Sequence, residues 1–316
     1  MRTEDLQITC QAVIDEVGKA VVGKRQVLER VMLAILCNGH VLFEDYPGLA
    51  KTLMANCFAQ ASGLSFKRVQ FTPDLMPADI TGTYILDRSS GEFKLRKGPV
   101  FTNLLLADEI NRAPPKTQAA LLEAMQERQV TLEGESLQLP RPFLVMATQN
   151  PIEYEGTYPL PEAQIDRFLV RTSIGYPSSE EEREVLRRRR ARMREEVSLA
   201  KVCSAERIVE MQEVVERMHV QDVIEEYIVT IVAATRRHPQ VELGASPRGS
   251  LALMRLSAAC AALRGRDFVL PDDVKEVAVP ALAHRLILAA DPWIRGVKPQ
   301  AVVEEILRDA PVPKVG

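Results

Sequence analysis

Four short apolar runs, each ending in polar residues and separated by helical segments, leave this chain few architectures. The runs are HVLFE (40–44), FKRVQF (66–71), NLLLAD (103–108) and FLVMAT (143–148). A helix is predicted over about 24–38 from Val27, Val31, Leu33 and Ile35, and a second over KTQAALLEAMQER (116–128). Apolar runs of this length alternating with helices imply a parallel sheet covered on both faces. GTYILD and FKLRKG, joined by RSSGE, predict a hairpin over 81–98, and QVTLEG with ESLQLP predicts another over 129–140.

The character changes after about residue 176, where strand signals vanish. Ser178 and Ser179, followed three residues later by Glu181 and Glu182, form a capping-box start. Helices are expected at about 180–195, 204–218, 221–237, 247–263, 271–287 and 298–308. Tyr176-Pro177 is the expected linker. The reading is therefore an α/β core over 1–176 and an all-helical domain over 177–316, the latter long enough to bury a core of its own.

Composition removes several function classes. Forty basic and 43 acidic residues give a net charge of −3, which exerts no overall pull toward nucleic acid or membrane. No apolar run approaches a membrane span, and MRTEDLQITC lacks the apolar stretch of a signal peptide, so a cytoplasmic location is expected. Cys10, Cys37, Cys57, Cys203 and Cys260 are scattered with no CxxC pair, which argues for buried reduced thiols over zinc or disulfides. The four histidines show no metal-ligand spacing.

The chemistry concentrates at the ends of the apolar runs. FEDYPGLAKT (43–52) follows a strand and opens a helix, the setting of a phosphate-binding loop. There, the backbone of Asp45, Tyr46, Pro47, Gly48, Leu49 and Ala50 would surround phosphates at a helix N-terminus, every one of them but Pro47 offering an N–H. Lys51 would reach the β- and γ-phosphates, and Thr52 would coordinate Mg²⁺. The stretch departs from G-x-x-x-x-G-K-[ST] in two places: Asp45 replaces the first glycine and Ala50 the second. An Asp45 carboxylate aimed inward would repel a triphosphate, whereas one aimed away would not. Taken alone, the segment also fits a Pro-Gly turn before an ordinary helix. The run Leu104-Leu105-Leu106-Ala107 ends in Asp108-Glu109, which places two carboxylates at the sheet's C-terminal edge, where open α/β sheets bind ligands. Asp108 would hold Mg²⁺ through its waters and Glu109 would polarise a water as general base. A core strand followed by solvated acids is the alternative. FLVMAT ends in Gln149 and Asn150, amides suited to orient that water against the γ-phosphate.

With those elements in place, the segments GPVFTNLLLADEINRAPPKTQAALLEAMQE, FTPDLMPADITG, ATQNPIEYEGTYPLPEAQIDRF and GASPRG resemble MoxR-family AAA+ ATPases, over roughly residues 20–290. The resemblance implies an AAA+ core with a C-terminal helical lid, ATP and Mg²⁺ as cofactors, and ATP hydrolysis. It implies that Asn150 is sensor 1, Arg167 an arginine finger acting in trans, and Arg248 sensor 2 in the lid, with Ser246 and Pro247 as N-cap and first helical residue. Val22-Gly23 resembles the stretch that packs on adenine, and Arg112 is a second candidate for contact between subunits. An arginine supplied in trans implies a homo-oligomeric ring, expected to be a hexamer, with a lid that rotates on the core between nucleotide states. The family also implies chaperone-like remodelling or assembly of client proteins with a von Willebrand factor A domain partner. A nucleotide-gated scaffold, a chelatase-type motor and a DNA-acting motor are the other readings.

Three remaining features have plainer explanations. Arg187–Arg194 (RRRRARMR) follows the acidic turn SSEEERE, and Glu184 and Arg188 are i,i+4 partners, so a solvated helix is expected over a nucleic-acid site. Leu121, Leu122 and Met125 read as core packing, and Trp293 as a packing anchor for the last helices.

Overall fold

The computed structural model describes residues 1–150, 156–194 and 197–314. Residues 151–155 of the motif segment beginning at Ala147, and the expected final residue of the helix at 180–195, lie outside them. Five parallel strands form the central sheet: β1 (Val41–Glu44), β2 (Phe66–Gln70), β3 (Leu104–Asp108), β4 (Leu144–Gln149) and β5 (Val170–Thr172), in spatial order β2-β3-β4-β1-β5. β1 pairs Val41 with Met146 on one side and Val170 on the other. β1, β3 and β4 are the buried strands, as their uniformly apolar sequences require. β2 lies at the edge, and Lys67, Arg68 and Gln70 are exposed along it. The three-residue β5 escaped the sequence reading, because so short a run carries no periodicity.

The longer helices of the core are α1 (Thr3–Gly18), α2 (Arg25–Leu36), α3 (Lys51–Ser62) and α4 (Pro115–Glu127). Those of the C-terminal part are α5 (Ser179–Arg192), α6 (Ala205–Glu216), α7 (Asp222–Arg237), α8 (Pro247–Leu263), α9 (Pro271–Leu282) and α10 (Pro299–Asp309). α1 also went unread, although Leu6, Cys10, Val13, Ile14 and Val17 recur at helical spacing and are all buried. Two hairpins, Gly82–Asp87 with Glu92–Lys97 and Gln129–Leu132 with Glu135–Gln138, stand where the turn signals placed them. The C-terminal part is not wholly helical. Val241–Leu243 pairs with Ile287–Leu288 in a small antiparallel ribbon, which ends the helix expected to reach 287 at Leu282.

The sheet's two faces bury different sets of residues. Leu42, Leu105, Ala107, Val145 and Ala147 pack with α4 residues Leu121, Leu122 and Met125. Val41, Phe43, Leu104, Leu106, Leu144 and Met146 face a cluster that runs without a break through α1–α3 into Ile208, Met211, Ile231, Leu253 and Leu256 of the C-terminal helices. The lid thus shares its apolar core with the sheet instead of closing one alone. Polar contacts follow the same seam, with Gln212 donating to the Ile35 carbonyl at 2.8 Å. Rotating the whole lid as a rigid body would expose this shared cluster, at about 25 cal/mol per Å² of apolar surface. α5 is different, because it buries no residue. Trp293 is 68% exposed and anchors no packing, contrary to its sequence expectation, because its short helix Ala290–Ile294 sits on the surface.

Two buried histidines make stability depend on pH. His40 bridges the Val145 N–H and the Met125 carbonyl, each at 3.0 Å, and His284 lies against the Phe168 carbonyl at 3.1 Å. Burial, together with Arg128 for His40 and Arg285 for His284, holds both imidazoles well below their ordinary 6.5. The folded protein therefore resists protons that the unfolded chain accepts. Stability should be full above about pH 6.5 and fall below it by up to about 1.4 kcal/mol per histidine per pH unit. Thermal melting at successive pH values between 7.5 and 5.5 checks this. A melting temperature that does not fall across that window would contradict it.

Candidate functional site

The site forms where three buried strands end side by side. β1 runs into residues 45–50, β3 into Glu109, and β4 into Asn150. Because β1 and β4 are neighbours and β3 lies next to β4, their C-terminal ends converge on one edge of the sheet. Pro47, Gly48, Leu49, Ala50, Lys51, Thr52, Arg68, Gln70, Asp108, Glu109, Thr148 and Asn150 line a cleft of about 270 Å³ there. The loop bends through two left-handed residues, Gly48 at φ 83° and Ala50 at φ 58°. Ala50 is thus more than an added methyl, since an L-residue in that conformation costs about 1–2 kcal/mol and glycine does not. No side chain caps α3, which leaves the N–H groups of its first turn directed at the cleft, an arrangement that fits an anionic phosphate.

Lys51 Nζ donates to the carbonyls of Asp45 at 2.8 Å and Tyr46 at 3.0 Å, holding the loop closed on itself. Burial lowers the ammonium's pKa, opposed by the carboxylates of Asp45, Asp108 and Glu109. A bound anion would favour the charged form further.

Asp45 does not face the cleft. It is 4% exposed, and its carboxylate accepts from Ser173 Oγ at 2.6 Å, the Ile174 N–H at 2.5 Å and the Gly175 N–H at 3.1 Å. Its charge is consumed by the segment after β5, so the repulsion considered from the sequence does not arise. Tyr46 also turns outward, its ring stacked on Tyr176 with centroids 5.9 Å apart.

The two carboxylates of the third run have distinct partners. Asp108 is buried; its Oδ2 accepts from Arg68 Nη2 at 2.6 Å and Nε at 3.1 Å, and its Oδ1 from Thr148 Oγ at 2.6 Å. Thr148 Oγ in turn accepts the Glu109 N–H at 2.7 Å, which ties β4 to the turn after β3. Glu109 takes a left-handed conformation, φ 57°, and receives Gln70 Nε2 at 2.7 Å and Arg112 Nε at 3.1 Å. Arg112 therefore meets Glu109 of its own chain. Arg68, Gln70 and Thr148 were not among the residues predicted for the site. Alternation along β2 carries a signal for the first two, because Arg68 and Gln70 share a face and Gln70 is in register with Asp108.

Two sets of predicted residues lie elsewhere. Arg167 and Arg248 line a separate cavity of about 280 Å³ with Asp166, Arg255 and Arg285, not the Lys51 cleft. Arg248 approaches Asp166 at 3.8 Å, while Arg285 Nε donates to Asp166 at 2.7 Å. Arg167 Nε is buried and has no hydrogen-bond partner among the described residues. Ser246 caps α8 through the Arg248 N–H at 3.2 Å, as its sequence suggested. Val22-Gly23 does not line the cleft either. Gly23, at φ 71°, is pressed against the Glu181 side chain so closely that any Cβ would collide with it. Lys24 beside it bonds the Tyr176 carbonyl at 2.9 Å.

Among the described residues, no three acidic, histidine or cysteine side chains cluster to form a metal cage. A magnesium ion held mainly by phosphate and water needs only Thr52 and the nearby Asp108, and both line the cleft. No helix among the described residues is long and apolar enough to cross a membrane.

Comparisons with known proteins agree with this fold. Residues 40–170 match the family described as ATPases associated with various cellular activities, and residues 233–306 match an AAA lid domain. The chain is 48% identical to the uncharacterized protein YeaC of Bacillus subtilis over 98% of this chain and 97% of that one. It is 46% identical to Chaperone MoxR1 of Mycobacterium tuberculosis over 97% of this chain and 83% of that one. A crystal structure from Cytophaga hutchinsonii superposes with a TM-score of 0.92 at 43% identity, covering 99% of this chain and 97% of the other.

Proposed function

The chain belongs to the MoxR family of AAA+ ATPases, and from that premise we propose that it hydrolyses ATP with Mg²⁺ to remodel, assemble or activate partner proteins. The observation that carries this reading is the meeting of Lys51, Thr52, Asp108, Glu109 and Asn150 in one cleft at the ends of adjacent strands. Bound ATP would supply the phosphoryl group, and magnesium the charge that offsets its negative oxygens. Lys51 and the uncapped first turn of α3 would bind the phosphates, and Thr52 with Asp108 would hold the ion. Thr148 fixes the Asp108 carboxylate and the Glu109 backbone together. Glu109 takes a proton from the attacking water at its carboxylate, and the Asn150 amide orients that water.

The position of Arg167 and Arg248 supports an oligomer. Both arginines line a cavity away from their own chain's cleft, and on our reading Arg167 would serve a neighbour's nucleotide as an arginine finger. A head-to-tail contact of that kind closes into a ring, for which we propose a hexamer. The chaperone description of the Mycobacterium tuberculosis relative favours protein clients, with a von Willebrand factor A domain protein as the proposed partner. The near-neutral charge disfavours DNA. A nucleotide-gated scaffold that hydrolyses ATP poorly would be favoured by an Asp45 carboxylate aimed at the phosphates, and that carboxylate is turned away from the cleft.

Phosphate release by the parent protein and by Glu109→Gln tests the reading. Replacing the general base should lower turnover by about 10²–10⁴-fold while leaving ATP affinity near the parent's. Equal background release from both proteins would favour the scaffold.

A further inference from the structure

The mechanism above leaves the Asp45 side chain unused. A buried carboxylate at the first position of a phosphate loop, spending all its bonds on one distant segment, calls for an explanation. Its backbone carbonyl accepts Lys51 Nζ at 2.8 Å, while its side chain accepts from Ser173, Ile174 and Gly175. One residue therefore touches both the lysine of the phosphate loop and the chain leaving β5. The next residue repeats the connection: the Tyr46 carbonyl accepts Lys51 Nζ at 3.0 Å and its ring stacks on Tyr176. From Tyr176 the path continues to Lys24, which bonds the Tyr176 carbonyl at 2.9 Å and faces Glu181 at 3.6 Å. Glu181 completes the capping box of α5 by accepting the Ser178 N–H at 2.7 Å. Among the described residues, α5 is the one long helix past the sheet that buries no residue; Arg188 ties it to the Gly18 and Lys19 carbonyls, and it can shift without opening the shared apolar cluster.

We propose that Asp45 is a positioning residue that transmits the state of the phosphate loop to residues 173–176 and the start of α5. The inference rests on the nucleotide-binding reading of the Lys51 cleft. When Lys51 leaves the Asp45 and Tyr46 carbonyls for a phosphate, those carbonyls lose their donor and the loop readjusts. The three bonds from Asp45 carry that readjustment into the Ser173–Gly175 backbone, where Gly175 at φ 68° takes a conformation open to little else. The output is the setting of α5, whose last turns carry the exposed Arg189 and Arg190. A glycine at position 45, the residue a standard phosphate loop has, would bind phosphate equally well and transmit nothing.

The experiment uses the full-length protein and ADP, so it does not depend on turnover. ADP affinity is measured by titration with a fluorescent analogue, and amide hydrogen exchange over residues 173–186 is compared with and without ADP. In the parent, ADP should change exchange across that segment several-fold. Asp45→Asn keeps the shape but replaces one accepting oxygen with a donor, and should lose most of that response while ADP affinity stays within about threefold of the parent. Ser173→Ala removes one of the three bonds and should leave an intermediate response, which keeps the test informative if Asp45→Asn folds poorly. A parental response in both variants, with ADP bound, overturns the coupling and leaves the nucleotide reading intact. A large loss of ADP affinity in Asp45→Asn also overturns it, because Asp45 would then serve the phosphate site itself. Failure of the parent to bind ADP would instead sink the nucleotide reading.

Discussion

Lys51→Ala is expected to weaken ATP binding by about 100-fold or more while leaving the fold nearly as stable as before. The size follows from charge. Hydrogen bonds to charged groups contribute about 1.5–3 kcal/mol each, so losing a pair of lysine–phosphate contacts removes about 3 kcal/mol or more, and 1.4 kcal/mol is a factor of ten. The cost to the unliganded protein is smaller. Lys51 there satisfies only the Asp45 and Tyr46 carbonyls, at the rim of an open cleft where water can replace it. The elements around it stay in place, because β1 is held by β4 and β5 and the buried face of α3 carries Met54, Ala55 and Phe58. Titration with a fluorescent ATP analogue and Mg²⁺, alongside thermal melting without nucleotide, separates the two effects. A Lys51→Ala protein that binds as tightly as the parent would remove the foundation of the proposed site. One that fails to fold would show that the lysine holds the loop for structural reasons.

The parts of this site that the sequence made readable are those in which one residue type at one spacing has few alternatives. Lys51 and Thr52 after a Pro-Gly loop, and Asp108-Glu109 after four apolar residues, fall into that class, and the structure brings them into one cleft. Arg68, Gln70 and Thr148 were opaque because their meaning depends on register. Only the pairing of Gln70 with Asp108 and of Leu106 with Met146 puts those side chains on the same edge. The direction of the Asp45 carboxylate was undecided for a related reason: its partners are 128–130 residues away in sequence. The lid's helices were visible from their caps and periodicity, but not the surface they pack on. An amphipathic helix announces that it has an apolar face, and nothing in its own sequence says that Ile208 and Leu253 share a cluster with Phe43 and Leu106 of the sheet. The short β5 and the ribbon of Val241–Leu243 with Ile287–Leu288 lie below the length at which alternation can be recognised.

Arg167→Ala should abolish turnover while sparing nucleotide affinity, and should recover activity when mixed with the inactive Lys51→Ala protein. The first half follows from location. Arg167 lies in the Arg248 cavity, not in its own chain's Lys51 cleft, so removing it leaves every phosphate contact of that chain in place. The loss at a neighbour's nucleotide should be about 10³–10⁵-fold, the usual worth of an arginine finger. The fold should tolerate the change, because Asp166 remains paired with Arg285 at 2.7 Å, and the Arg167 Nε makes no hydrogen bond among the described residues. The second half follows from the geometry of a ring with head-to-tail contacts. An Arg167→Ala subunit keeps a working cleft, and a Lys51→Ala subunit keeps a working arginine, so one orientation of the mixed contact restores a complete site. In an equal, randomly assembled mixture about one contact in four has that arrangement, so activity should approach about a quarter of the parent's. Coexpression of the two variants, with phosphate release measured against each alone, gives the answer. If the mixture shows no more than the sum of its parts, then Arg167 does not act across subunits, and the case for a ring would rest on Arg248 alone.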